Sequence, residues 1–138
     1  METQRMQKGI IGGKEKATPR DLTEKILSCA REVHSALGPG LLETTYEEAL
    51  AHEFSLKDIR YLRQKEAKLS YKGKDIGWHR IDFLVEDAVV VELKSVEKLH
   101  GIHEAQLVSC LRSLRKKAGL LINFNAARFT DAVKRFAI

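Results

Sequence analysis

Two adjoining stretches decide how this chain folds: Ile81-Asp82-Phe83-Leu84-Val85 and, across Glu86-Asp87, Ala88-Val89-Val90-Val91-Glu92-Leu93-Lys94. The second is dense in β-branched residues, as expected of a central strand covered on both faces. A strand's period of two puts Glu92 and Lys94 on one face and Leu93 on the other. Burying a carboxylate there costs several kcal/mol unless it is paired or binds a metal. The plainer alternative is that Glu92 and Lys94 occupy the strand's solvent-exposed end and neutralise each other.

Asp82 is likewise an acid among apolar residues, and a turn near Glu86-Asp87 folds its strand back on the next. Register then matters. A two-residue turn sets Asp82 opposite Val91, facing away from Glu92, whereas a three-residue connection, Glu86-Asp87-Ala88, or an equivalent bulge, sets it opposite Glu92. The longer connection is the expected one. Two carboxylates about 5 Å apart on adjacent strands repel unless a cation lies between them, and oxygen ligands suit Mg²⁺ or Mn²⁺. Such an ion polarises a phosphodiester and acidifies a bound water, and a nearby ammonium, here Lys94, offsets charge growing on phosphoryl oxygens.

Upstream of this pair, Leu22, Ile26, Leu27, Ala30, Val33 and Leu37 recur at helical spacing, predicting a helix over Asp21 to Leu37 with Thr18 as its cap. Gly38-Pro39-Gly40 ends it, and a second helix is expected from Leu42 to Leu56. Strands are predicted over Lys68 to Lys72 and Trp78 to Val85, with Gly73-Lys74 as the turn between them. Downstream, Ile102 to Leu114 predicts a third helix stopped by Gly119, then a strand at Leu120 to Phe124; Phe129 to Ile138 reads as either an edge strand or a short helix.

The 138 residues fit one domain, expected over 18–138, with the polar residues 1–17 as a flexible leader. No apolar run is long enough to span a bilayer, so a cytoplasmic protein is expected, with no membrane partner. Cys29 and Cys110, far apart, suggest neither a disulfide framework nor a cysteine-bound metal. Twenty-four basic against 19 acidic residues leave a charge of +5, which favours polyanionic partners. Arg112, Arg115, Lys116 and Lys117 could steer a phosphate backbone or simply form a solvated helix end. His79, His100 and His103 show no trusted ligand spacing, and His34 could be a ligand, although its place near a helix C-terminus suits a dipole-capping or packed role.

Acidic-x-Lys alone says little, since chance places about two such pairs in this composition, and the second, Glu66-Ala67-Lys68, sits in a polar stretch. With its surroundings, however, Asp82, nine intervening residues and Glu92-Leu93-Lys94 resemble the PD-(D/E)XK nuclease superfamily, without its proline. Gly40-Leu41-Leu42-Glu43-Thr44-Thr45-Tyr46 further resembles the signature of the GxxExxY proteins, a branch of that superfamily. His34, Gly38-Pro39-Gly40, Tyr71 to Lys74, Val85-Glu86-Asp87, Gln106 and Gly119 to Phe124 extend the likeness over about residues 26–124.

The resemblance implies a single-domain α/β restriction-endonuclease-like fold: a central mixed sheet with an antiparallel hairpin, flanked by helices. It implies a Mg²⁺-dependent nuclease, a hydrolase of phosphodiester bonds with DNA as the expected polymer. Asp82 and Glu92 would hold metal, Glu43 would assist directly or through water, and Lys94 would orient water or stabilise the transition state. For Glu43 a second reading is equally open, because the macrodipole favours any acid in a helix's first turn. Tyr46 could orient Glu43 or contact phosphate, although a tyrosine at that spacing suits the core. Gln106 resembles the glutamine of the QxxxY element of RecB-like nucleases, with Cys110 in the tyrosine's place. The rival reading is a catalytically inactive nucleic-acid-binding or subunit-interaction module on the same scaffold. Sequence leaves open DNA or RNA, endo or exo action, and whether a homodimer is needed to hold a duplex.

Overall fold

The computed structural model describes residues 18–138, so the expected leader over 1–17 lies outside the described residues. The elements follow the order α1 (Pro19–Leu37), α2 (Glu43–Leu56), β1 (Tyr61–Tyr71), β2 (Lys74–Val85), β3 (Val89–Lys94), α3 (Gly101–Leu114), β4 (Ala118–Asn123) and β5 (Val133–Ala137). A single 3₁₀ turn, Phe129–Asp131, precedes β5, so the uncertain C-terminal segment contains both a helical turn and a strand.

Thr18 caps α1 in a capping box, its hydroxyl accepting from the Asp21 amide while the Asp21 carboxylate accepts from the Thr18 amide. The five strands form one mixed sheet ordered β1-β2-β3-β4-β5. All neighbours are antiparallel except β3 and β4, which run parallel and are joined by the α3 crossover. Alternation splits the strand side chains between two cores. Val89, Val91, Leu93, Leu120 and Ile122 pack beneath α1 and α2, while Val90, Leu121 and Leu84 pack against Leu107, Cys110 and Leu111 of α3. β3 is buried along almost its whole length, as its composition predicts.

The β2–β3 connection has the expected three residues, with Glu86 and Asp87 at φ 50° and 56°, and Val85 pairs with Val89. Three expectations shift. β1 begins at Tyr61 rather than Lys68, because an edge strand exposing Leu62, Arg63 and Gln64 carries no apolar alternation. β2 begins at Lys74, and the turn is Lys72-Gly73, whose positive φ values of 48° and 83° suit a two-residue hairpin. Gly119 does not stop α3: Arg115, in the left-handed conformation, caps that helix, and Gly119 lies inside β4. There a Cβ would stand 3.2–3.3 Å from Leu107 and Leu111 methyls, so the missing side chain lets α3 seat closely on the sheet.

Among the described residues no helix is long and apolar enough to cross a membrane.

Candidate active site

The β2–β3 ladder ends at Phe83–Val91, one pair short of Asp82 and Glu92. There the strands part, and the two carboxylates take over as acceptors. The Asp82 amide donates to Glu92 Oε1 at 2.8 Å, and the Leu93 amide donates to Asp82 Oδ2 at 2.7 Å. Each acid is thus fixed by the backbone of the opposite strand, and both reach into the gap between them. Glu92 is buried, 6% exposed. Burial, then the Glu92 charge, push the Asp82 carboxyl up to about 7, against the lowering effect of the Leu93 amide.

The outer oxygens have partners too. His79 Nε2 lies 3.0 Å from Glu92 Oε2, which requires the imidazole proton on Nε2 if the carboxylate is ionised. Gln64 Nε2 lies 3.4 Å from Asp82 Oδ1 and donates to both oxygens of Glu47 at 2.9 and 3.0 Å. Gln64 reaches that position from a left-handed backbone, φ 55°, between the Arg63–Phe83 and Lys65–Ile81 pairs. Its anchor Glu47 is 6% exposed on α2 and also accepts from Arg63 at 2.8 and 3.0 Å. Arg63 extends the network to Glu48 at 2.8 Å, and these bonds raise its already high pKa.

Glu43 opens α2 in the first turn and sits in the same electrostatic neighbourhood: burial raises its pKa, Lys94 lowers it, and Glu92 and Glu47 raise it. Lys94, half-buried at the end of β3, also faces the first turn of α3, where slight burial and the Lys94 charge hold His103 below its ordinary pKa. Loops lock these positions. Ser95 Oγ donates to the Leu41 carbonyl at 2.6 Å, and the Gly40 amide donates to Asn125 Oδ1 at 3.0 Å. Asn123 clamps Val96 through both its amide and its carbonyl, at 3.1 and 2.9 Å.

Asp82, Glu92, Lys94 and Glu43 therefore share one electrostatic neighbourhood. Among the described residues, however, no group of three or more His, Cys, Asp or Glu stands ready to hold a metal, so Glu43 does not complete a three-carboxylate cage. The donor set still fits Mg²⁺ or Mn²⁺, because such ions commonly take one or two carboxylates and keep several waters. Tyr46 is committed elsewhere: fully buried, stacked on Phe124 at 4.7 Å, its hydroxyl donates to the Gly38 carbonyl and accepts from the Leu41 amide. A phosphate contact is thereby closed to it, and its work is to brace the loop that delivers Glu43. Gln106 is exposed, one turn past His103 on α3.

The basic cluster lies at the other end of the sheet. Lys116 pairs with Asp87 in the β2–β3 turn at 3.1 Å, and Arg112, Arg115 and Lys117 belong to the same end of α3. Glu92 lies five positions beyond Asp87, up to roughly 17 Å of chain, so this cluster is not part of the gap. His34 donates to the Ala126 carbonyl at 2.7 Å between Phe124 and Phe129, a packing role.

His79, Gln64 and Glu47 were not legible as site residues. Glu47 carries a faint signal, four residues after Glu43 and so on the same helix face. Gln64 and His79 have none, because their partners come from other elements.

The family model of the PD-(D/E)XK nuclease superfamily matches residues 20–136, which reaches into every element of the fold and takes in all of these residues. No curated protein and no solved structure matches the chain.

Proposed function

Because the chain belongs to the PD-(D/E)XK nuclease superfamily, whose members typically use divalent metals, we propose that it is a Mg²⁺- or Mn²⁺-dependent nuclease hydrolysing phosphodiester bonds of nucleic acid, with DNA as the expected substrate. The observation that carries this reading is the pair Asp82 and Glu92, each locked by an amide of the other's strand at the point where the ladder opens. Burial and the Glu92 charge push the Asp82 carboxyl up to about 7, a rise that a bound cation would relieve.

In this reading Asp82 and Glu92 would hold the ion, and Glu43 would assist directly or through water. When bound, the ion supplies Lewis acidity toward the scissile phosphate and lowers the pKa of a coordinated water. The chain's own groups do the rest. Lys94 places an ammonium where charge gathers on the phosphoryl oxygens, or orients the attacking water. His79 holds Glu92 in one rotamer, and Gln64, anchored on Glu47, does the same for Asp82. Gln106, exposed on α3, would meet substrate or position Lys94. The Gly40–Tyr46 motif supports a finer placement in the GxxExxY branch.

Purified protein incubated with plasmid and oligonucleotide substrates tests this. Cleavage is expected with Mg²⁺ or Mn²⁺, none in EDTA, and none from Glu92→Gln. Activity that persists in Glu92→Gln, or no cleavage of any substrate by the intact chain, would count against the nuclease; the latter result would favour a binding module that has kept the acids without the chemistry.

A further inference from the structure

β3 covers β2 only from Phe83 to Val85, so Lys74 to Asp82 continue as a two-stranded ribbon with β1 alone. Over the regular part of that ribbon, Lys65 to Lys68 pair with Ile81 to Trp78. Ile81 and Ala67 turn inward to the α3 core. Alternation therefore sets Trp78 and Arg80 in one row on the opposite face, with Lys68 and Glu66 across from them; it breaks at Asp82, where Ile81 and Leu84 pack on the α3 side and Phe83 on the other. Asp82 lies four positions beyond Trp78, about 13 Å of strand, so the row leads toward the carboxylate gap.

Its chemistry is unusual for a bare surface. Trp78 is 54% exposed and Tyr71, at the hairpin end, 60%. The Arg80 guanidinium stands 5.0 Å over the indole, and the Lys72 ammonium 5.3 Å over the Tyr71 ring. Across residues 65–80 five cations, Lys65, Lys68, Lys72, Lys74 and Arg80, face two carboxylates, Glu66 and Asp75. Open aromatic faces bracketed by cations take bases by stacking and phosphates by charge. Base faces are free only in an unpaired strand, because a duplex keeps them stacked on one another.

We propose that the outer half of the β1–β2 ribbon is a platform for a single-stranded stretch of the substrate: a base stacks on Trp78, Arg80 and Lys68 hold its phosphates, and the strand runs along the row toward Asp82. This rests on the nuclease reading for the identity of the polymer, and it names the form in which that polymer arrives. Trp78 is the chain's one tryptophan, so its emission reports directly on the platform.

The test is titration of the intact protein in EDTA with an oligothymidylate of about 12 nucleotides, and with a duplex of equal length. Saturable quenching of Trp78 emission by the single strand, weakened by salt, is expected. By anisotropy of the labelled oligonucleotide, Trp78→Ala and Arg80→Ala should each bind about tenfold more weakly, and Trp78→Phe should bind nearly as the parent does. Circular dichroism of each variant separates lost stacking from lost fold. Unchanged Trp78 emission at saturation, full affinity in a folded Trp78→Ala, or stronger quenching by the duplex would each overturn the platform. Metal-dependent cleavage with unaltered binding in Trp78→Ala overturns the platform alone. Quenching as expected from a chain that cleaves nothing leaves the platform standing and removes the nuclease.

Discussion

Asp82 binds its proton more tightly in the folded chain than in the unfolded one, because burial and Glu92 both oppose its charge. The sign of the resulting pH dependence follows. A carboxyl raised from 3.8 to about 7 contributes stability that is complete below pH 3.8 and is lost as pH rises through 7. Asp82→Asn removes that loss, so without metal the variant should exceed the parent by on the order of 1 kcal/mol at pH 8 and by little at pH 4. Urea melts in EDTA at the two pH values measure this; equal stability of the two proteins at pH 8 would show the charge to be well solvated. A second prediction concerns His79, which meets Glu92 through Nε2 at 3.0 Å. His79→Ala should weaken Mn²⁺ binding about tenfold by calorimetry, and His79→Gln, which keeps an N–H, should lose less. At this scale the sequence showed Asp82, Glu92 and Lys94 because acids are conspicuous in apolar strands. It hid Gln64, Glu47 and His79 because a supporting residue is defined by what it touches, and those contacts span 13 to 18 positions.

The same difference runs through the elements. β3 and β4 could be read directly, since strands buried on both faces are written as unbroken apolar runs. The first half of β1 could not, because of its residues from Tyr61 to Lys68 only Ala67 is buried. Gly119 illustrates a different limit: it looks like punctuation after a helix, but its function is steric, inside β4. Gly119→Val should cost about 1–3 kcal/mol in a denaturant melt, because its methyls must displace Leu107 and Leu111 at a contact already tight for one carbon. A neutral result would mean that α3 can move outward freely.

For the molecule as a whole, the sheet separates two cores, and each contains one cysteine: Cys29 on the buried face of α1, Cys110 on the buried face of α3. Burial raises both thiols, Cys110 to about 11. At pH 8 neither should react with an aromatic disulfide reagent until the chain opens, and the single variants Cys29→Ala and Cys110→Ala should then show matching protection, as one cooperative unit requires. A large gap between the two rates would reveal layers that open separately.

β1 and β5 are the outermost strands and leave a row of main-chain groups without a neighbouring strand. On β1 that row is broken at Gln64, where the backbone turns left-handed, and again between Leu69 and Ser70. A foreign strand approaching this border meets a kink, flanked by Arg63 and Lys65, instead of a straight template. The deviation that aims one amide at Asp82 therefore also makes this border a poor template for aggregation. Straightening it, as Gln64→Val would favour, should slacken Asp82 and promote self-association together.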